Sequence, residues 1–194
     1  HAEEDRPLEL SFILGGHFFS DSSALGRSDY AAPDSNLAHS IAVGARGGYG
    51  LSKYFLLEAE FLAMPTKMAV GDGQVFAYTG RGHLAFRFPF GPGQRFEPFV
   101  LLGGGALAAR PDPGLPLKTE TLGAFHTGLG LRVNVHKWVG VRLDGRMVLV
   151  PEVRTPTFTQ DYEVLGSVYA RFGFTPDKPV ETKPEPTKPP ESET

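Results

Sequence analysis

Eight segments of this chain alternate apolar and polar side chains with a period of two, and the stretches between them hold no amphipathic helix that could cover an exposed apolar face. Residues 39–64 display the unit most clearly. Ile41, Val43, Ala45, Gly47 and Tyr49 share one face of the first arm, and Ala42, Gly44, Arg46 and Gly48 share the other. After the turn Gly50, Leu51, Ser52 and Lys53, the second arm sets Phe55, Leu57, Ala59 and Phe61 against Glu58 and Glu60. A soluble sheet would bury its apolar face against another layer. With only further hairpins available, the apolar face is expected to meet lipid.

The same pattern recurs along the chain. Leu8, Leu10, Phe12, Leu14 and Phe18 oppose Glu9, Ser11, Gly15 and His17 in a first strand. Phe76, Tyr78, Leu84 and Phe86 oppose Thr79, Arg81, His83 and Arg87 over residues 75–88, and a return arm follows over 97–110. Leu129, Leu131 and Val133 oppose His126, Arg132 and Asn134. Val139, Val141, Leu143 and Met147 oppose Arg142, Asp144 and Arg146, after a two-residue turn read at His136 and Lys137. Val164, Val168 and Phe172 oppose Ser167, Tyr169 and Arg171 in an eighth strand.

The connections alternate long and short. Loops at 20–37, 65–74, 111–121 and 151–162, rich in Gly, Pro, Asp and Ser, all fall at one end, and the tight turns all fall at the other. Such asymmetry belongs to outer-membrane barrels. The expected fold is therefore all-β: an eight-stranded antiparallel up-and-down transmembrane β-barrel over residues 8–174, with a short extension at 1–7. Eight strands close with no edge around an interior that side chains can fill. A soluble barrel with its apolar face inward is the competing reading, and it would need a wide cavity lined with Phe. Tyr49, Phe55, Phe86, Phe88, Phe99, Trp138, Phe172 and Phe174 gather toward the turn-side ends, where a lipid-interface belt of aromatics is expected.

Composition does not oppose this. A mean hydropathy of −0.16 reads as soluble, but lumenal and lipid-facing residues cancel in such an average. The longest apolar run, 99–109, is too short for a spanning helix, which needs roughly 20 residues. With 19 Lys and Arg against 22 Asp and Glu, nothing points to a nucleic-acid surface. The absence of cysteine removes disulfides and thiolate chemistry. The start His1, Ala2, Glu3, Glu4 fits a chain whose signal peptide has been removed. Residues 175–194 carry six Pro, eight charges and a single apolar side chain, Val180. They are expected to form a disordered, extended periplasmic linker.

The arrangement resembles the eight-stranded transmembrane domain of the outer membrane protein A family. The residues that carry the resemblance are 44–54 (GARGGYGLSKY) running into Glu58 and Glu60, the turn at His136 and Lys137 entering Val141, Arg142, Leu143 and Asp144, and the closing 169–174 (YARFGF). It implies a structural barrel that anchors the chain in the outer membrane, with the tail in the periplasm. It also implies a tether to peptidoglycan through a further domain beyond the linker. An alternative is a surface binding or adhesion barrel whose long loops engage an extracellular ligand; a small gated pore and a lipid A-modifying enzyme are further readings.

The inward phase predicts a lumenal ion-pair network of Glu9, Arg46, Glu58, Glu60, Arg81, Arg87, Arg132, Arg142, Asp144, Arg146 and Arg171. Charges in so narrow a space must pair, since an unpaired buried charge costs several kcal/mol. Neighbouring strands suggest Glu58 with Arg46, Glu60 with Arg81, Asp144 with Arg132 and Arg171, and Glu9 with Arg171. Such a network can be a passive plug or a rearranging gate. His17, His83 and His126 are inward by phase, with no Ser and acid beside them on the lipid face, and are expected as hydrogen-bonded fillers rather than catalysts. The six histidines show no metal spacing. The glycines at 103–105 and at 128 and 130 lack a strand-to-helix context for a nucleotide loop. No catalytic residue, metal or cofactor is expected.

Overall fold

The computed structural model describes residues 7–20, 25, 37–68, 73–115, 117–151 and 158–173. The N-terminal extension except Pro7, Phe174, the tail at 175–194 and much of the long loops lie outside the described residues. Eight strands follow in order: β1 (Leu8–Phe18), β2 (Ser40–Gly50), β3 (Phe55–Lys67), β4 (Gln74–Arg87), β5 (Phe96–Pro111), β6 (Glu120–His136), β7 (Val139–Pro151) and β8 (Phe158–Phe172). Each pairs antiparallel with the next, and β1 closes on β8, so the sheet is a barrel with no free edge. No helix among the described residues is long and apolar enough to cross a membrane; the chain crosses with strands.

The stagger of the barrel can be read by following partners once around. Leu8 pairs with Tyr49, then Leu57, Leu84, Leu102, Thr127, Met147 and Tyr162 in turn, and Tyr162 pairs with Phe18, ten residues beyond the start. This displacement tilts the strands against the barrel axis and sets how narrow the lumen is. Because Leu8 also pairs with Phe172, both ends of the barrel lie side by side at the turn end.

The outward face is largely apolar along the strands, from Leu10, Phe12 and Ile41 to Leu102, Leu129 and Val168, all exposed, with polar residues such as Lys67, Gln74, Arg110 and Gln160 joining it near the loop end. The inverted, soluble barrel is thereby set aside. Strand bounds differ from the sequence reading at the loop end. The β3–β4 ladder continues through Pro65 and Phe76 to Lys67 and Gln74, and β8 begins at Phe158 rather than after a loop ending at residue 162. Glu120 already pairs with Ala109, so β6 starts well before residue 125. Polar and proline-bearing residues there read as loop in sequence, but ladder hydrogen bonds to a neighbouring strand outweigh that local preference. The last turn is Lys137 and Trp138 rather than His136 and Lys137: His136 pairs with Val139, and the register slips between Asn134 and His136.

Replacing Leu129, whose side chain is 68% exposed on the lipid face, by Arg should cost about 2 to 4 kcal/mol if it lies near the bilayer midplane. Urea unfolding of the barrel in lipid vesicles measures this, and an effect near zero would place Leu129 outside the hydrocarbon band.

Candidate functional site: the lumenal charge network

Period-two alternation sends every second side chain of each strand into the lumen, and the ionic residues among them collect in tiers along the barrel axis. At the turn end, Arg132 on β6 donates from Nη2 to both Glu9 oxygens at 2.7 Å, and Arg171 on β8 donates to Glu9 from Nε at 2.9 Å. Arg171 also reaches Glu97 on β5 at 3.0 Å. Glu97 further accepts from Asn134 at 2.6 Å and stands 3.5 Å from Arg132 and 3.6 Å from Arg87. Arg87 donates to the carbonyl of Ser52 at 2.8 Å, tying this tier to the β2–β3 turn. The Arg132 guanidinium lies 4.4 Å from the Tyr169 ring centroid, and the Tyr169 hydroxyl donates to Asn134 Oδ1. Tyr169 has room for this because Gly140 on the neighbouring strand has no side chain, and a Cβ there would collide with the Tyr169 phenol.

The middle tier is denser. Glu60 is held by three guanidinium groups: Arg46 at 2.6 Å, Arg81 at 2.8 Å and Arg146 at 2.8 Å. Asp144 is bound by Arg142 and Arg146, both at 2.6 Å, and by Arg46 at 3.2 Å. Arg142 Nη1 donates to both oxygens of Glu58 at 2.8 Å, and His83 meets Glu58 at 2.9 Å. Above these, Arg81 clamps Glu163 on β8 with two donors, at 2.5 and 3.0 Å. His17 bridges Glu163 at 2.8 Å and Asp161 at 3.4 Å, and Asp161 accepts the backbone N–H of Ser20 at 2.8 Å.

Within the described residues the lumen therefore holds seven carboxylates (Glu9, Glu58, Glu60, Glu97, Asp144, Asp161 and Glu163) and seven guanidinium groups (Arg46, Arg81, Arg87, Arg132, Arg142, Arg146 and Arg171). Their formal charges are equal in number. Low local dielectric strengthens each contact, and the many donors per guanidinium let one carboxylate satisfy several arginines. No group of three or more His, Cys, Asp or Glu among the described residues is placed to hold a metal ion.

Several pairings depart from the strand-neighbour expectation. Asp144 contacts neither Arg132 nor Arg171, which sit lower and are taken by Glu9 and Glu97. It is instead flanked by Arg142 and Arg146 on its own strand, two residues away on the same face, and reached by Arg46. Arg46 lies directly opposite Glu60 in the ladder, so its distance to Glu58 is 3.9 Å and Glu58 is served mainly by Arg142. Glu60 with Arg81 and Glu9 with Arg171 occur as ladder neighbours.

Phe99 also differs. The sequence places it among the interface aromatics, but its side chain is buried in the lumen, with the Arg142 guanidinium 4.1 Å from its ring centroid. The parity of β5 explains this: Glu97, Phe99 and Leu101 share the inward face. Gly130, its ladder partner, leaves the ring its space, since a Cβ there would come within 2.5 Å of the Phe99 ring. Tyr49, Phe55, Phe88, Trp138 and Phe172 are exposed on the outward face near the turn end, and Phe86 is partly so.

Three further carboxylates enter the lumen: Asp161 lies in the stretch 151–162 that the sequence reads as loop, Glu163 just beyond it, and Glu97 at the start of the return arm. Extending the alternation of Ser167, Tyr169 and Arg171 backward by twos reaches both Glu163 and Asp161, so parity carried the signal. The lumen also holds an apolar plug that the sequence reading does not contain. The rest of the lumen is filled by Ile13, Leu62, Met64, Leu107, Val148 and Leu165, with Leu25, Leu37 and Leu117 from the loops packed into the same cluster. On β3, β5 and β7 this hydrocarbon seal follows the charged residues toward the loops, while on β1 and β8 His17, Asp161 and Glu163 lie beyond Ile13 and Leu165.

The model of a family described as outer membrane protein beta-barrel domain matches residues 21–163. No curated protein matches the chain in sequence. Among solved structures, the chain is similar to Neisserial surface protein A, at 13% identity and a TM-score of 0.67, covering 85% of this chain and 97% of that one. The N-terminal β-barrel domain of Pseudomonas aeruginosa OprF follows at 12% identity and a TM-score of 0.58, covering 88% and 100%. The attachment invasion locus protein Ail of Yersinia pestis, in complex with the heparin analogue sucrose octasulfate, aligns at 14% identity and a TM-score of 0.54, covering 87% and 99%. At these identities the likeness is one of fold.

Replacing Glu60 by Gln keeps its shape but removes the charge that three arginines share. Loss of one partner of a buried pair should destabilise the barrel by about 3 to 5 kcal/mol. The pair of Lys118 and Glu120, 3.3 Å apart with the lysine side chain 53% exposed, sets the contrast: Lys118→Met should cost about 0 to 1 kcal/mol. Equilibrium unfolding of both variants in detergent measures the difference.

Proposed function

Because the chain belongs to the outer membrane protein beta-barrel domain family and resides in the outer membrane, we propose that it is a closed structural barrel that anchors the chain there and does not conduct. The observation that carries this reading is the filled lumen. Seven carboxylates and seven guanidinium groups pair across it, and the apolar cluster around Ile13, Leu62, Met64 and Leu165 fills the space they leave. A continuous water column would have to part these ion pairs and wet the hydrocarbon seal. The long loops face the cell exterior and the turns face the periplasm, as in barrels of this kind. The Pro-rich segment 175–194 then leads into the periplasm as a linker, and attachment to peptidoglycan through a following domain is the tethering form of this reading.

The three lumenal histidines support a filler role rather than a reaction. His17 and His83 face carboxylates, and His126 lies edge-on to His83 with ring centroids 5.3 Å apart, all inside the belt and away from the face where a lipid would lie. A second reading, surface binding through the loops, is favoured by the reach of β5 and β6. They run 16 and 17 residues, while a tilted spanning strand needs about 9 to 11. Their excess length would raise the loop end above the membrane and present it to an extracellular ligand.

Single-channel recording of refolded barrel in planar bilayers should give no large, steady openings; their appearance would replace the anchor with a pore. Protease added outside intact cells should cut within residues 20–37 and spare 175–194, and cleavage confined to the tail would reverse the orientation.

A further inference from the structure

The outward face is not uniformly convex. Along β2 it sinks into a groove whose floor is Ala45 and Gly47 with Ala59 of β3, because these small side chains stand between two ridges. Leu8, Leu10 and Phe12 of β1 form one ridge, and Leu57 and Phe61 of β3 form the other. The hollow measures about 670 Å³ at its turn-side end, between Tyr49 and Phe172, and continues upward through a second depression of about 620 Å³. The groove lies within the lipid-facing band, and its walls are apolar side chains.

A second feature stands at its foot. The turn that closes the same hairpin carries Lys53, exposed, 4.7 Å from the Tyr54 ring centroid and without a carboxylate partner among the described residues. The other two turns repeat the arrangement. Residues 88–95 hold Arg95 and no acid, and Lys137 lies 5.6 Å from the Trp138 ring centroid. The turn-side rim is thus cationic and aromatic, at the level where lipid phosphates lie.

We propose that the groove along β2 is a seat for one phospholipid of the periplasmic leaflet, its acyl chain lying over Ala45, Gly47 and Ala59 and its phosphate held by Lys53. The choice of leaflet rests on the orientation given above; the site itself does not. A second copy of the chain is a poorer occupant. A two-fold contact along the membrane normal would set one concave surface against another and bring the two Lys53 side chains to the same level, where like charges repel. A phospholipid matches both features at once, with hydrocarbon for the hollow and an anion for the lysine.

Native mass spectrometry of the full chain released from nanodiscs made of equal parts phosphatidylethanolamine and phosphatidylglycerol tests this in either orientation. The parent chain should retain one phospholipid, with phosphatidylglycerol enriched. Gly47→Leu fills the floor, where a Cβ meets no atom within 4 Å, and should lose most of the retained lipid. Gly145→Leu, equally unobstructed on the outward face of β7, should keep it. Lys53→Gln should still retain lipid but lose about fivefold in phosphatidylglycerol enrichment, the effect of one cation at an anionic surface. If Gly47→Leu fails to fold, Ala59→Leu fills the same groove from β3. Equal retention by the parent and the groove-filled variant would overturn the proposal, as would disulfide-linked dimers of Gly47→Cys in the bilayer. Protease orientation in cells can fail without altering this readout, so the two results separate.

Discussion

In the hydrocarbon core of a bilayer no water can satisfy a backbone N–H or C=O, and each one left unpaired costs several kcal/mol. The contact on which the rest of this structure depends is therefore the seam between β1 and β8, where Leu8 to Phe18 pair with Phe172 to Tyr162. That ladder removes the last two edges. Once it forms, the number of strands and the ten-residue stagger around the barrel set the bore, and the bore sets what the lumen can hold.

A bore this narrow forces its charges into contact, and the contacts in turn pin the strands. Arg46 joins β2 to β3 through Glu60 and to β7 through Asp144, while Arg81 joins β4 to β3 and to β8 through Glu163. These links cross the lumen as well as the ladder, so one carboxylate braces strands that are not neighbours. Their worth is cooperative rather than pairwise. The buried tier is costly to assemble, yet removing any one partner leaves another charge stranded. The hydrocarbon seal completes the division of labour, since Leu25, Leu37 and Leu117 draw loop segments onto Ile13, Leu62 and Leu165.

The two ends of the barrel differ in chemistry as well as in length. The turns are tight, cationic and aromatic, suited to a phosphate layer. The strands at the loop end run past the span a bilayer requires, and His17, Asp161 and the backbone of Ser20 tie the first loop to β8. One end is built to rest in a membrane surface and the other to stand away from it.

The sequence by itself determined the number of strands, the lipid and lumen faces of nearly all of them, and the up-and-down order with loops at one end. It could do so because the period of two is local: the parity of Glu58 and Glu60, or of Arg142, Asp144 and Arg146, needs no partner to be read. The same parity reaches Glu163 and Asp161, and it would have turned Phe99 inward with Glu97, had strand bounds and phase been carried far enough. What only the tertiary structure decided is which charge meets which. Asp144 takes Arg46, Arg142 and Arg146 in place of Arg132 and Arg171, and Glu58 takes Arg142 ahead of Arg46. Register, strand tilt and the reach of a guanidinium across a closed lumen are properties of eight strands together, and no single strand encodes them. The apolar seal and the groove along β2 have the same origin, since each exists only where side chains from several strands are brought level by closure.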